Sequence, residues 1–452
     1  MATRVTTWTE HTDFVGTEVF ALDDGSTNKK VSAAGLLVPV AGGETATRAR
    51  NLAVNTDYGN TIEAACHTSV ISGGGGTGDP NRINAQAKPD GVDETMSWAA
   101  DTVASGVANV AVIAGGYDHI NNQVAGTISG GGHNYIQSNT SGHSFIGGGS
   151  YNWISGGRSA IVGGKKNQIL GATANLNFIG GGENNIIDGN CDYGVISGGL
   201  DNNITGGGGY QTCMGRENTV NQSTQGGTAI GLSHSITGGG TACTIVGGST
   251  NVITDSNYNA IVGGTAHALA ATGSVVIGGS DNDDRGSRAT NSSNSTVLVG
   301  QGARGMHSTG AIVQGQGTLT SAAGNARCQV VRSIETKTTT GATGTSSSLH
   351  NIDFFDTAKT TFTGRVTVTA WNETDLESNG FSMEFVAFWD GTTWLINGAA
   401  SEPSLTAISN PSALTIPSIG LSTGRLRIRA AYKAGKTVHN AIMIEGVMIE
   451  DS

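Results

Sequence analysis

Four large aromatic residues cluster toward the end of the chain: Trp371, Trp389, Trp394 and Tyr432. Asn372, Asp375 and Asp390 stand beside them in sequence. Flat apolar rings next to amide and carboxylate groups suit a sugar, with the ring covering a C–H face and the polar groups bonding hydroxyls. Large aromatics also fill cores, so each ring has an interior alternative. The stretch WNETDLESNG at 371–380 is the best exposed-loop candidate, because loops on a rigid scaffold carry recognition. Three histidines, His119, His234 and His267, hold equivalent places in a repeat. They can meet on an axis between chains and bind a metal, or bond within a turn as asparagine does. No two have metal-ligand spacing within one chain, so the turn role and no metal or cofactor are expected. The acidic pairs Asp283–Asp284 and Glu450–Asp451 are weighed against the paired carboxylates of glycoside hydrolysis, about 5–9 Å apart. They read as solvated turn charges. No GxSxG, HExxH or P-loop occurs, and these residues taken together lead us to expect no enzyme.

The elements that must position these groups are set by a repeat. Aligned on one polar residue, it runs His119, Asn134, Asn152, Asn167, Asn185, Asn202, Asn218, His234, Asn251, His267, Asn282. Ten steps cover 163 residues, 16.3 on average. Three positions before each polar residue stands glycine, as in Gly116, Gly149 and Gly264. Two positions after it stands an aliphatic residue in nine copies, and six before it Ile or Val in nine. The consensus is Ile-x-Gly-Gly-x-x-Asn-x-Ile. The β-branched positions suit short strands, and Gly-Gly-x-x-Asn suits a tight turn with positive φ. Stacked units give a parallel β-solenoid rising about 4.8 Å per coil, with the asparagines forming an amide ladder. A stretched copy at 70–83 and a looser one at 297–305 flank the array.

Composition agrees with a regular repetitive fold. Glycine is 71 of 452 residues and charged residues are 13%, about half the usual ~25%. A net charge of −11 argues against a nucleic-acid partner, which calls for clustered Lys and Arg. The five cysteines are scattered without a CxxC pair, so no disulfides and assembly in a reducing cytoplasm are expected. The first residues show no apolar signal core and no run is long enough to span a membrane. A thin coil with few aliphatics does not by itself offset the entropy of ordering about 16 residues. Several chains around an axis are the natural remedy, and we expect a homotrimer.

The Gly-x-x-Asn-x-Ile-x-Gly units over 112–305 resemble the β-roll heads of trimeric autotransporter adhesins. They are more similar still to Ile-Gly-Gly-Gly-x-x-Asn-x-Ile arrays of bacteriophage tail fibres. GTEVFALDDGSTNKKVSAAGL at 16–36 resembles the segment that joins tail fibres to the virion, which implies docking roles for Phe20, Asp23, Asp24, Lys29 and Lys30. GRLRIRAAYKAGKTVHNAIMIEGVMIED at 424–451 is similar to a terminal β-domain of phage tail proteins. The autotransporter family has a signal peptide and a membrane-anchor barrel that this chain does not match, which favours the phage resemblance.

The expected layout is a virion-attachment segment at 1–45, an irregular shoulder at 46–110, Gly-rich β-roll repeats at 111–305, a neck and linker at 306–345, and a tip at 346–452. The tip alternates with period two: Val366, Val368 and Ala370 share one face, as do Phe381, Met383, Phe385 and Ala387, and Leu426, Ile428, Ala430 and Tyr432. That pattern reads as an antiparallel β-sandwich. The fold class is therefore all-β, a trimeric elongated β-roll or β-solenoid with a docking segment and a sandwich tip. The resemblance implies a structural, receptor-binding tail fibre in the virion tail. Its N-terminus would meet phage tail or baseplate proteins and its C-terminus a bacterial surface glycan or outer-membrane protein. The alternatives are a tailspike with depolymerase activity and a bacterial trimeric surface adhesin.

Overall fold

The computed structural model describes residues 19–23, 28–32, 52–53, 60–62, 69–75, 79–83, 110–137, 142–171, 176–189, 191–222, 225–270, 272–280, 297–301, 303, 311–321, 324–340, 346–353, 360–373, 377–389, 394–397, 406–407, 418–422, 425–431 and 437–451. The chain forms two compact units, Met1–Tyr210 and Gln211–Ser452. Among the described residues every regular element is a strand, as the β-branched repeat predicts.

The first unit opens with an antiparallel pair, Val19–Asp23 on Asn28–Ser32, with Phe20 opposite Val31 and Leu22 opposite Lys29. The docking candidates Phe20, Asp23, Lys29 and Lys30 lie in these strands, and Asp24 falls outside the described residues. Eight coils follow, each giving one strand to each of two parallel sheets. One sheet starts at Leu52–Ala53 and ends at Val195–Leu200. The other starts at Thr61–Ile62 and ends at Asn203–Ile204. The stretched copy at 70–83 is one of these coils, paired in register with Leu52–Ala53 and Val112–Ile113.

Parallel register stacks like on like. Ile146, Ile161 and Ile179 form one column and Ile154, Ile169 and Ile187 the other, all fully buried. A typical coil thus buries two large aliphatics.

The turns differ from the sequence expectation in one respect. The motif asparagine does not take the positive φ; the residue before it does, as in Tyr151 (φ 57°), Lys166 (φ 55°) and Asn184 (φ 56°). The asparagine is instead turned inward, where its side chain joins adjacent coils. Among the described residues the second turn is also left-handed, at Arg158 (φ 51°), Leu176 (φ 61°) and Tyr193 (φ 59°). Glycine is required at Gly149 (φ 81°). A Cβ there would collide with the carbonyl oxygen of Gly164 on the next coil.

The ladder itself is continuous through this unit. The backbone N–H of Asn152, Asn167, Asn185 and Asn202 each donates to the Oδ1 of the ladder asparagine before it, all at 3.1 Å. Each amide also donates outward, Asn167 Nδ2 to the carbonyls of Gly163 (3.0 Å) and Gly182 (2.9 Å). The buried backbone groups of the turns are thereby satisfied. A second, shorter ladder lines the opposite turn: Asn177 N–H donates to Ser159 Oγ (3.2 Å) and Gly194 N–H to Asn177 Oδ1 (2.6 Å).

The second unit holds four two-stranded coils, from Thr212–Arg216 and Thr219–Gln222 to Ala260–Val262 and Ala268–Leu269. The first sheet then continues alone through Val275–Ile277, Val297–Gln301 and Ile312–Ser321. Ile312–Ser321 turns the sheet antiparallel by pairing with Gly324–Thr340. Beyond it come Thr437–Asp451, Thr360–Asn372 and Glu377–Trp389, all antiparallel. Ser346–Asp353, Arg425–Ala431 and Ser418–Ser422 make a separate antiparallel sheet. Phe362, Val366, Val368, Ala370, Phe381, Phe385 and Ala387 are all buried, as the period-two reading expects, whereas Met383 is half-buried.

Candidate functional site

On the strand Thr360–Asn372, alternation sends Val368 and Ala370 inward and Trp371 outward. Trp371 is 44% exposed. It lies opposite His439 across the ladder, and the two rings stack with centroids 5.3 Å apart and planes 24° from parallel. The imidazole is held on both sides, Nδ1 at 2.8 Å from Thr338 Oγ1 and Nε2 at 3.2 Å from Glu373 Oε2. The arrangement is a fixed aromatic platform with a carboxylate and a hydroxyl at its rim. It can receive an apolar ring face and bond its polar edge.

The other candidates distribute differently. Asn372 and Trp389 are interior, at 0% and 4% exposure. The reason is parity: Asn372 follows Val366, Val368 and Ala370 on the inward face, and Trp389 follows Phe381, Phe385 and Ala387. Neither meets a ligand from the outer face. Trp394 pairs by backbone with Trp389, and its side chain lies outside the described residues, as do Asp375, Asp390 and Tyr432. Thr338 and His439 gave no local signal in the sequence; only strand register brings residues so far apart in the chain to Trp371. Glu373 stood in the stretch singled out as a loop.

A shallow groove lies on the same face, lined by Thr363, Arg365, Glu384, Val386, Asn397 and Glu445. Arg365 sits in register between Glu384 on one neighbouring strand and Glu445 on the other. Glu445 is in turn 4.0 Å from Arg332. Opposite Gly364 lies Gly446, and a Cβ on Gly364 would press on the Glu445 carbonyl oxygen, so the two glycines let the strands close beneath the groove. Two carboxylates thus border one arginine in an open trough.

In the first unit, polar groups gather at the ladder turn of the third and fourth coils. The Asp118 carboxylate is buried, accepts from Tyr135 Oη (3.0 Å) and lies 2.7 Å from His133 Nδ1. His133 stacks on Tyr151, centroids 4.5 Å apart, and takes Tyr117 edge-on. Burial, then the Asp118 charge, push the Tyr135 phenol far above its ordinary range. Tyr193 and Tyr210, both exposed, stack face to face at 4.8 Å.

Of the repeat histidines, His119 and His234 take the acceptor half of the asparagine role. Asn134 N–H donates to His119 Nδ1 (3.2 Å) and Asn251 N–H to His234 Nδ1 (3.3 Å). Burial lowers both imidazoles, His119 to about 4. Among the described residues no group of three or more His, Cys, Asp or Glu side chains could hold a metal. Among the described residues Cys191, Cys213, Cys243 and Cys328 are not joined in disulfides.

No protein-family model and no curated protein matches the chain. Among solved structures, the chain is similar to the tailspike protein of Acinetobacter phage vB_ApiP_P1, at 11% identity and a TM-score of 0.21, over 88% of this chain and 81% of that one. It is also similar to tailspike protein gp49 of Acinetobacter baumannii bacteriophage Fri1, at 10% identity and a TM-score of 0.14, over 88% and 80%. The latter is described as a capsular polysaccharide depolymerase. The expectation of a protein without enzymatic activity is corrected on this finding and is not retained.

Proposed function

We propose that the chain is a receptor-binding tail protein of a bacteriophage, working as a homotrimer. Its N-terminal segment joins phage tail or baseplate proteins, and its C-terminal sheet meets a glycan or an outer-membrane protein on the bacterial surface. The Trp371–His439–Glu373 platform supports this reading of the C-terminal sheet. Such a surface binds weakly in one copy and gains from avidity in three.

One observation carries the assembly. In the second unit the residues flanking the buried column point outward, and they are apolar in succession: Met214, Ile230, Val246, Val262, Ile277 and Val299. The same row crosses Gln314 into the antiparallel sheet at Val330 and Val447. Most of these side chains are 38–51% exposed. A straight apolar row rising one coil at a time, about 4.8 Å, is matched in period by the same row of another copy. Rows of this kind rarely stay open to water.

Competition tests the function. Purified full-length protein should block adsorption of the phage whose tail carries it, and Trp371→Ala should weaken the block about tenfold or more. Unchanged competition by Trp371→Ala removes the platform from the receptor site.

The Glu384–Arg365–Glu445 trough favours a second reading, cleavage of a surface polysaccharide by paired carboxylates. Reducing ends released from host polysaccharide, and lost on Glu384→Gln or Glu445→Gln, would establish it. No release, or release unaffected by both changes, excludes the trough as the site.

A further inference from the structure

Most ladder positions carry asparagine, whose amide offers an acceptor upward and a donor sideways at any pH. Histidine replaces it at three coils, and the bonds on both sides are described for two of them, His119 in the first unit and His234 in the second. Each receives a backbone bond from one side and gives one to the other. His119 N–H donates to Asn81 Oδ1 (3.1 Å), and His119 Nδ1 accepts from Asn134 N–H (3.2 Å). His234 N–H donates to Asn218 Oδ1 (3.0 Å), and His234 Nδ1 accepts from Asn251 N–H (3.3 Å). An Nδ1 that accepts carries no proton, so the neutral ring is the Nε2–H tautomer. The rings are enclosed: a Cβ on Gly116 or Gly231 would collide with the Nε2 edge of His119 or His234.

We propose that His119 and His234 are acid-labile rungs: a proton on Nδ1 turns the acceptor of the next coil's backbone N–H into an opposing donor, and the solenoid opens locally at those coils. Asparagine at the same place has no such response. The charged groups around the two rings do not shelter them. Asp79 and Arg82 come from the coil before His119, and Asp118 stands beside it with its carboxylate already engaged by Tyr135 and His133. His133, on the coil after, adds repulsion toward a protonated His119. For His234 the coil before supplies Arg216 and Glu217, paired with each other at 2.7 Å, and the coil after supplies the uncharged Thr250 and Asn251.

Hydrogen exchange on the full chain tests this, with rates corrected for intrinsic exchange and read at 112–137 and 228–254. Between pH 7 and pH 4.5 the opening of the His119 coil should rise roughly 50-fold, as linkage with a neutral buried imidazole requires. His119→Asn should abolish the rise at its own coil and His234→Asn at its own. His143→Asn, on the exposed opposite turn, should leave both rises intact. A rise that persists in the asparagine variants, or none in the parent protein, overturns the proposal. Imidazole nitrogen shifts of the unaltered protein give a reading independent of any variant. His119 should be neutral with its proton on Nε2 at pH 5.5, and a charged His119 in a closed coil contradicts the mechanism.

Discussion

At the scale of single residues the ladder asparagines connect sequence to stability most directly. Asn167 is fully buried; its Oδ1 accepts from the N–H (3.1 Å) and Nδ2 (3.0 Å) of Asn185, and its Nδ2 reaches two glycine carbonyls. Asn167→Ala leaves buried backbone groups unpaired and should cost about 3 kcal/mol, read by chemical denaturation. A loss below about 0.5 kcal/mol, the scale of an ordinary surface change, contradicts the structural role. The buried histidines give a pH dependence with a definite sign. His119 binds its proton more weakly folded, near 4, than unfolded, near 6.5. Its contribution is therefore complete above about pH 6.5, falls as the pH drops toward 4, and levels off below, a loss of about 3 kcal/mol for this group. His119→Asn should flatten that part of the stability profile, and an unchanged slope would contradict the assignment.

At the scale of elements the repeat was legible almost in full. Ile-x-Gly-Gly-x-x-Asn-x-Ile names both strands, the glycine-bearing turn and the inward amide, because parallel register places the same residue type above itself coil after coil. The opposite turn was not legible. Its left-handed position is filled by Arg158, Leu176, Tyr193 and Tyr210, residues with no common preference for that conformation. Its inner ladder mixes Ser144, Ser159 and Asn177, so no single letter recurs. The proposed platform was half legible. Trp371 was singled out by type and is exposed, whereas parity buried Asn372 and Trp389, and His439 came only with strand register. The outward row belongs to this scale too. Val246 and Val262 lie opposite each other on adjacent strands and are 41% and 51% exposed. A double change, Val246→Glu with Val262→Glu, leaves the buried column untouched. It should dissociate the assembly in sedimentation while keeping the β-sheet signal in circular dichroism. An intact assembly would mean that this row is not the contact.

At the scale of the whole molecule the coils explain why copies should associate. A coil such as that of Ile245 and Ile253 encloses two large aliphatic side chains and a polar ladder, while its Val246 points outward and is 41% exposed. That surface is stabilising only when another chain covers it. Covering it in threes would also hold three C-terminal platforms in one assembly, as the proposed receptor-binding role needs for avidity. The most direct test is the mass of the purified full-length protein in native buffer at pH 7.5. The account predicts a single species of three 45.7-kDa chains. A folded species at the mass of one chain would contradict it.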